Sequence, residues 1–152
     1  MTFPTLSGSN LLRQKQNLPR DFQGKLNLVF IPFQRWHQAE VDSWGALAEE
    51  LEKLYQGLFY YELPTLQSGG PLYKFFLNEG MRAGIPNPKT RQRTITLYLD
   101  KADFRAALEM PDEDHIYILV IDCQGKEFFR ARGPYSRAAE ASLRQALLQF
   151  FQ

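Results

Sequence analysis

The sequence predicts an α/β fold, a central mixed β-sheet flanked by helices on both faces. Two observations carry this reading. A buried apolar strand, an amphipathic helix and a second strand follow one another between residues 26 and 63. A tight hairpin between 116 and 132 is then closed by a terminal amphipathic helix. The composition suits one ordinary domain: 152 residues, 44% hydrophobic and 14% aromatic, enough for a core without covalent staples.

Residues 1–25 read as a lead-in segment, punctuated by Pro4, Gly8, Pro19 and Gly24. Leu26-Asn27-Leu28-Val29-Phe30-Ile31 is almost continuously apolar, as a strand buried on both faces must be, and Pro32 ends it. From Gln38 to Tyr55 the apolar residues Val41, Trp44, Leu47, Leu51 and Leu54 recur three or four apart, leaving Glu40, Asp42, Glu49, Glu50 and Glu52 to water. Gly57 stops this helix, and 58–63 is a second strand before Pro64. Strand, helix, strand at this spacing predicts a parallel pair joined by a right-handed crossover.

Gly69-Gly70-Pro71 opens a second predicted helix, with Leu72, Phe75 and Phe76 as its apolar face. Residues 86–112 read as an insertion holding a β-branched strand at 94–99 and a short helix capped by Asp100 and running to Leu108. The strand at 94–99 either extends the main sheet at an edge or belongs to the insertion alone. Residues 116–121 and 126–132 form the hairpin around Asp122-Cys123-Gln124-Gly125. Phe128 and Arg130 are expected on one face of the return strand, Phe129 and Ala131 on the other. Ser136 caps the last helix, whose stripe is Ala139, Leu143, Ala146, Leu147 and Phe150.

Charge and cysteine content exclude several functions. Eighteen Lys and Arg against seventeen Asp and Glu give a net charge of +1, which speaks against nucleic acid as a partner. One cysteine, Cys123, allows no internal disulfide and no all-cysteine metal site. His37 and His115 are the two imidazoles, neither with carboxylates at ligand spacing, so no metal or other cofactor is expected. The start of the chain lacks the charged and apolar regions of a signal peptide, and no apolar run reaches membrane-spanning length. A cytoplasmic protein, or one peripheral to the inner face of a membrane, is expected.

The order of elements resembles a thioredoxin-like domain, spanning residues 1–152. Leu18-Pro19-Arg20-Asp21-Phe22-Gln23-Gly24-Lys25 before a buried strand resembles the lead-in of thioredoxin-like and peroxiredoxin proteins. Ile118-Leu119-Val120-Ile121-Asp122-Cys123-Gln124-Gly125-Lys126 is similar to their hairpin. The resemblance places the redox C-x-x-C slot at Gln34-Arg35-Trp36-His37, so both slot cysteines are absent, and it places Ile116 where those proteins carry a cis-proline. A Gln amide or an imidazole cannot exchange with a disulfide, so the resemblance implies a scaffold kept without its chemistry.

A further resemblance runs from about Leu18 to Phe150. Val29-Phe30 to Trp44, Gly80-Met81-Arg82, Leu97-Tyr98-Leu99-Asp100-Lys101, His115-Ile116-Tyr117-Ile118-Leu119, and Gly125-Lys126 with Arg132-Gly133 look like the mitochondrial ATP-synthase assembly factors. That resemblance implies a non-catalytic binding protein or chaperone whose protein partner is a subunit of a membrane complex. The thioredoxin-like resemblance places the partner surface where the first core strand meets its helix, gathering Gln34, Arg35, Trp36 and His37 with His115 and Ile116. The alternatives are a thiol-dependent oxidoreductase working through Cys123 alone, and a regulatory module for an unrelated partner. For Trp36 and His37 the plain structural reading competes with the partner surface: Trp36 packed on the lead-in and His37 solvated. The basic residues Arg82, Lys89, Arg91 and Arg93, and a second group at Arg130, Arg132 and Arg137, read as solvated surface or as a contact for anionic lipid or an acidic partner.

Overall fold

The computed structural model describes residues 2–68 and 88–152. Within them lie β1 (Leu6–Asn10), β2 (Lys15–Leu18), β3 (Leu26–Ile31), α1 (Gln38–Leu54), β4 (Leu58–Glu62), β5 (Thr65–Gln67), α2 (Pro88–Arg93), β6 (Ile95–Leu99), α3 (Lys101–Ala107), β7 (Tyr117–Ile121), β8 (Glu127–Arg132) and α4 (Arg137–Phe150). The helix expected to open at Gly69-Gly70-Pro71 lies outside the described residues.

The main sheet has the order β4-β3-β7-β8. β3 pairs with β4 in parallel, Leu26 opposite Leu58, and antiparallel with β7, Val29 opposite Leu119. β7 and β8 form the antiparallel hairpin. The period-two alternation of β3 splits its side chains between two cores. Leu26, Leu28 and Phe30 pack with Trp44, Leu47 and Leu51 of α1 and Leu143 and Leu147 of α4. Val29 and Ile31 face Ile95 and Leu97 of β6, Phe104 of α3, Leu108, and Phe22. Each such fully buried Leu or Ile contributes about 1.5–3 kcal/mol, so both faces of β3 matter to stability.

The second face is covered by a second sheet as well as by α3. Its order is β2-β1-β6-β5, with β1 antiparallel to β6 and β5 parallel to it. The strand at 94–99 therefore sits between the amino-terminal hairpin and β5. A parallel bridge between Glu62 and Thr94 links it to the main sheet.

Residues 1–25 are thus no plain lead-in, since they hold both β1 and β2. The hairpin is organised by Asn10, whose Oδ1 accepts from the backbone N–H of Leu12 (2.9 Å) and of Gln14 (3.0 Å). An Asn turn without an adjacent glycine gives a weak sequence signal. Gly8 is required by proximity: a Cβ there would stand 2.7 Å from the Thr96 carbonyl oxygen of β6.

β8 departs from the expected alternation. Val120 pairs with Phe129 and Ile121 with Glu127, so Phe128 is the extra residue of a bulge. Phe128 and Phe129 consequently join the same cluster, Phe128 with its ring 5.2 Å from that of Phe150. The helix caps form as the sequence implies, Asp100 accepting from Asp103 N and Ser136 from Ala139 N. No helix among the described residues is long and apolar enough to cross a membrane.

Candidate functional site

At the carboxyl end of β3 the chain makes a 3-10 turn, Arg35–His37, that runs directly into α1. The short segment before β7, residues 113–116, lies alongside. Polar contacts tie the two together. Glu40, in the first turn of α1, accepts from the Ile116 backbone N–H (3.0 Å) and meets His115 Nδ1 at 2.7 Å. A carboxylate at this position is also favoured by the helix N-terminus. Gln34 Nε2 donates to Glu113 Oε1 at 2.8 Å. On the far side, the Ile116 carbonyl accepts from Gly133 N at 2.9 Å, so both backbone polar groups of Ile116 are engaged within the chain.

Glu113 is the hub of this end. It accepts from Lys101 Nζ (2.9 Å) and Arg105 Nε (3.2 Å) of α3 as well as from Gln34. Burial pushes its carboxyl pKa up, but the hydrogen bond and charge of Lys101, then Gln34 and Arg105, outweigh it and hold the group below its ordinary value.

The six residues of the anticipated partner surface separate by exposure. Gln34, Arg35 and His115 are exposed, and Trp36 is 57% exposed, not packed on the amino-terminal segment. His37 and Ile116 are buried at 0% and leave the accessible set. His37 is neither solvated nor available to a partner, because its ring is a structural acceptor. Its Nδ1 accepts from the backbone N–H of Phe33 (2.9 Å) and of Gln34 (3.3 Å), which fixes the proton on Nε2. Nε2 is buried and has no hydrogen-bond partner among the described residues, and the Trp36 ring stands edge-on at 4.3 Å. Burial lowers the His37 pKa, with Glu40 and Glu113 opposing.

No family model matches the sequence, and neither does any curated protein. Solved structures do match. The thioredoxin domain of a thiol-disulfide oxidoreductase from Bacteroides vulgatus is 17% identical, with a TM-score of 0.55 over 100% of this chain and 96% of that one. The exposed lipoprotein thioredoxin of Streptococcus pneumoniae is 13% identical, TM-score 0.58, over 95% and 99%. A thiol-disulfide oxidoreductase from Bacteroides fragilis is 13% identical, TM-score 0.60, over 95% and 98%.

The fold is thioredoxin-like. On this thioredoxin-like frame the turn between β3 and α1 reads Gln34-Arg35-Trp36-His37 and carries no thiol. Cys123 lies at the opposite end of the sheet, in the β7–β8 turn, where its Sγ donates to the carbonyls of Phe22 (3.1 Å) and Gly24 (3.4 Å). Burial, then the neighbouring Asp122, push its thiol pKa up, the reverse of what a nucleophilic cysteine needs.

The basic residues do not assemble into a described patch. Arg82 lies outside the described residues, and Lys89 and Arg91 fall on α2, whose basic side chains are described only for Arg93. Arg93 is spent internally: it binds Glu52 through both nitrogens (2.8 and 3.0 Å) and stacks 3.8 Å from the Tyr60 ring centroid. Arg130 is likewise paired with Glu127, and Arg132 with Asp112. Charge compensation across the fold removes these three from any free cationic surface. Glu40 and Glu113, the residues that knit the site, give no sequence signal of their role. The bonds by which they join the two segments span 76 positions, Glu40 to Ile116, and 79, Glu113 to Gln34.

Proposed function

We propose that this chain is a non-catalytic thioredoxin-fold binding protein that captures a protein partner at the turn between β3 and α1. The observation that carries the reading is Trp36, 57% exposed beside exposed Arg35 at a thiol-free turn. An exposed aromatic next to an arginine is the composition of an interface hot spot. The backbone of residue 116 is already hydrogen-bonded on both sides, so recognition rests on the side chains of Gln34, Arg35, Trp36 and His115 rather than on strand addition. The sequence resemblance to ATP-synthase assembly factors supports a subunit of a membrane complex as the client.

The test is recovery of partners from mild-detergent extracts by the native chain and by the Trp36→Ala, Arg35→Ala double variant. Removing such anchors costs about 1–2 kcal/mol or more, roughly tenfold in affinity, while an exposed position leaves the melting temperature within a few degrees. Unchanged recovery, or an unfolded double variant, would count against the assignment.

A second reading, a thiol-dependent oxidoreductase, draws support from the matching structures, several of which are thiol-disulfide oxidoreductases. The raised pKa and carbonyl contacts of Cys123 weigh against it. Accordingly Cys123→Ser is expected to leave partner recovery intact, and the native chain to show no insulin reduction and no peroxide consumption. A reductase or peroxidase activity abolished by Cys123→Ser would establish the enzyme.

A further inference from the structure

The end of the molecule remote from Trp36 carries an aromatic face that no described residue covers. α1 and α4 both terminate there, and β8 begins there. The rings form a chain: Tyr55 stacks on Phe151 at 5.0 Å, Phe151 meets Phe150 at 5.0 Å, and Phe150 meets Phe128 at 5.2 Å. Phe150 (38% exposed) belongs to this chain, and Leu54 (59%) and Leu148 (55%), in the last turns of α1 and α4, are exposed at the same end. A groove floored by Phe128, Ala146, Gln149 and Phe150 runs beside it.

The charges around this face are lopsided. Lys25, Lys53 and Lys126 are exposed at the same end, and none forms an ion pair among the described residues. Lys25 lies over Gly57 at the start of β4, Lys53 is in the last turn of α1, and the Lys126 ammonium sits 5.1 Å over the Phe128 ring. Two of the nearby acids are engaged by arginines and a third by backbone N–H groups. Glu50 is held by Arg144 and Glu127 by Arg130, while Asp122 Oδ1 accepts from the backbone N–H of Gln124 and Lys126. Glu49 is exposed on α1 one turn before Lys53, so the three lysines outnumber the exposed acid beside them.

We infer that this face docks on an anionic lipid bilayer surface, with the leucines and Phe150 entering the headgroup region and the three lysines facing the lipid phosphates. Exposed Leu and Phe at the same end as three exposed lysines combine the two contributions that hold peripheral proteins at membranes, apolar insertion and attraction to anionic lipid. An obligate protein interface would deplete lysine, because burying an ammonium is costly. The geometry also leaves the Trp36 end directed away from the bilayer, free for a partner. The inference does not depend on that partner.

The experiment is vesicle co-sedimentation of the full chain with phosphatidylcholine vesicles, with and without roughly one-third phosphatidylserine. Binding is expected to the anionic vesicles only, weakening as salt rises. Each lysine near the surface is worth about fivefold in affinity, so Lys25→Gln, Lys53→Gln and Lys126→Gln together should weaken binding about a hundredfold. Leu54→Gln with Leu148→Gln, at exposed positions that leave the circular dichroism spectrum unchanged, should weaken it as well. Trp36→Ala should bind vesicles as the native chain does. Absence of binding to anionic vesicles overturns the inference, as does binding that ignores both sets of substitutions. A dimer in solution that Leu54→Gln and Leu148→Gln dissociate, without vesicle binding, would assign the face to a second copy and also overturn it.

Discussion

Trp44→Ala is expected to remove about 3–5 kcal/mol of stability, a large share of what a domain of this size possesses. Trp44 is 0% exposed and packs against Phe30 of β3, rings 6.0 Å apart, and against Tyr135 at 5.7 Å. Its Nε1–H donates to the Gly133 carbonyl at 3.0 Å, tying the middle of α1 to the chain just beyond β8. Alanine removes the ring from the core shared by α1, α4 and one face of the main sheet, and strands that carbonyl. Trp44→Phe keeps most of the volume and loses the hydrogen bond, so it should cost less, about 1–3 kcal/mol. Urea denaturation of both variants measures the difference. Equal losses would mean that the ring volume, and not the bond to Gly133, is immaterial, contrary to this packing.

The position of Trp44 is legible in the sequence, because it stands on the apolar stripe of a helix with unambiguous period. The same holds for the four strands of the main sheet. Leu26 to Ile31 is apolar apart from Asn27, the pattern of a strand buried on both faces. The hairpin at 122–125 and the caps at Asp100 and Ser136 are local chemistry, readable within four residues.

The features the sequence does not disclose are non-local. β1 and β2 are short and half polar; β2 pairs with β1, and β1 with β6 some 85 residues away, and a strand that depends on its neighbour leaves little trace in its own residues. The bulge at Phe128 shifts a face without changing composition. In the candidate site, the fold resemblance alone brought residues 34–37 to 114–116. Which of them are exposed was decided by packing: Trp36 turns outward and His37 inward within one 3-10 turn, and no periodic pattern distinguishes two adjacent aromatic residues.

His37 gives the sharpest stability test of the site. His37→Ala would leave the Phe33 and Gln34 backbone N–H groups without the acceptor that Nδ1 provides, and Phe33 is itself buried. Each stranded donor costs about 1–3 kcal/mol, so a loss of about 2–6 kcal/mol is expected from the two. His37→Asn places an amide oxygen near the Nδ1 position and should recover much of it. The native ring also confers a pH dependence whose sign follows from its lowered pKa. In the unfolded chain the imidazole titrates near its ordinary value of 6.5, while in the folded chain burial keeps it neutral to lower pH. Below pH 6.5 the unfolded state therefore binds a proton that the folded state refuses, and stability falls as pH drops toward the lowered folded value. Above that range His37 contributes no slope. His37→Asn abolishes this component, so the native and Asn curves of unfolding free energy against pH should converge as acid is added. Parallel curves across the range would show that His37 titrates alike in both states, and an alanine variant as stable as the native chain would remove the ring from its place as the acceptor that holds the turn.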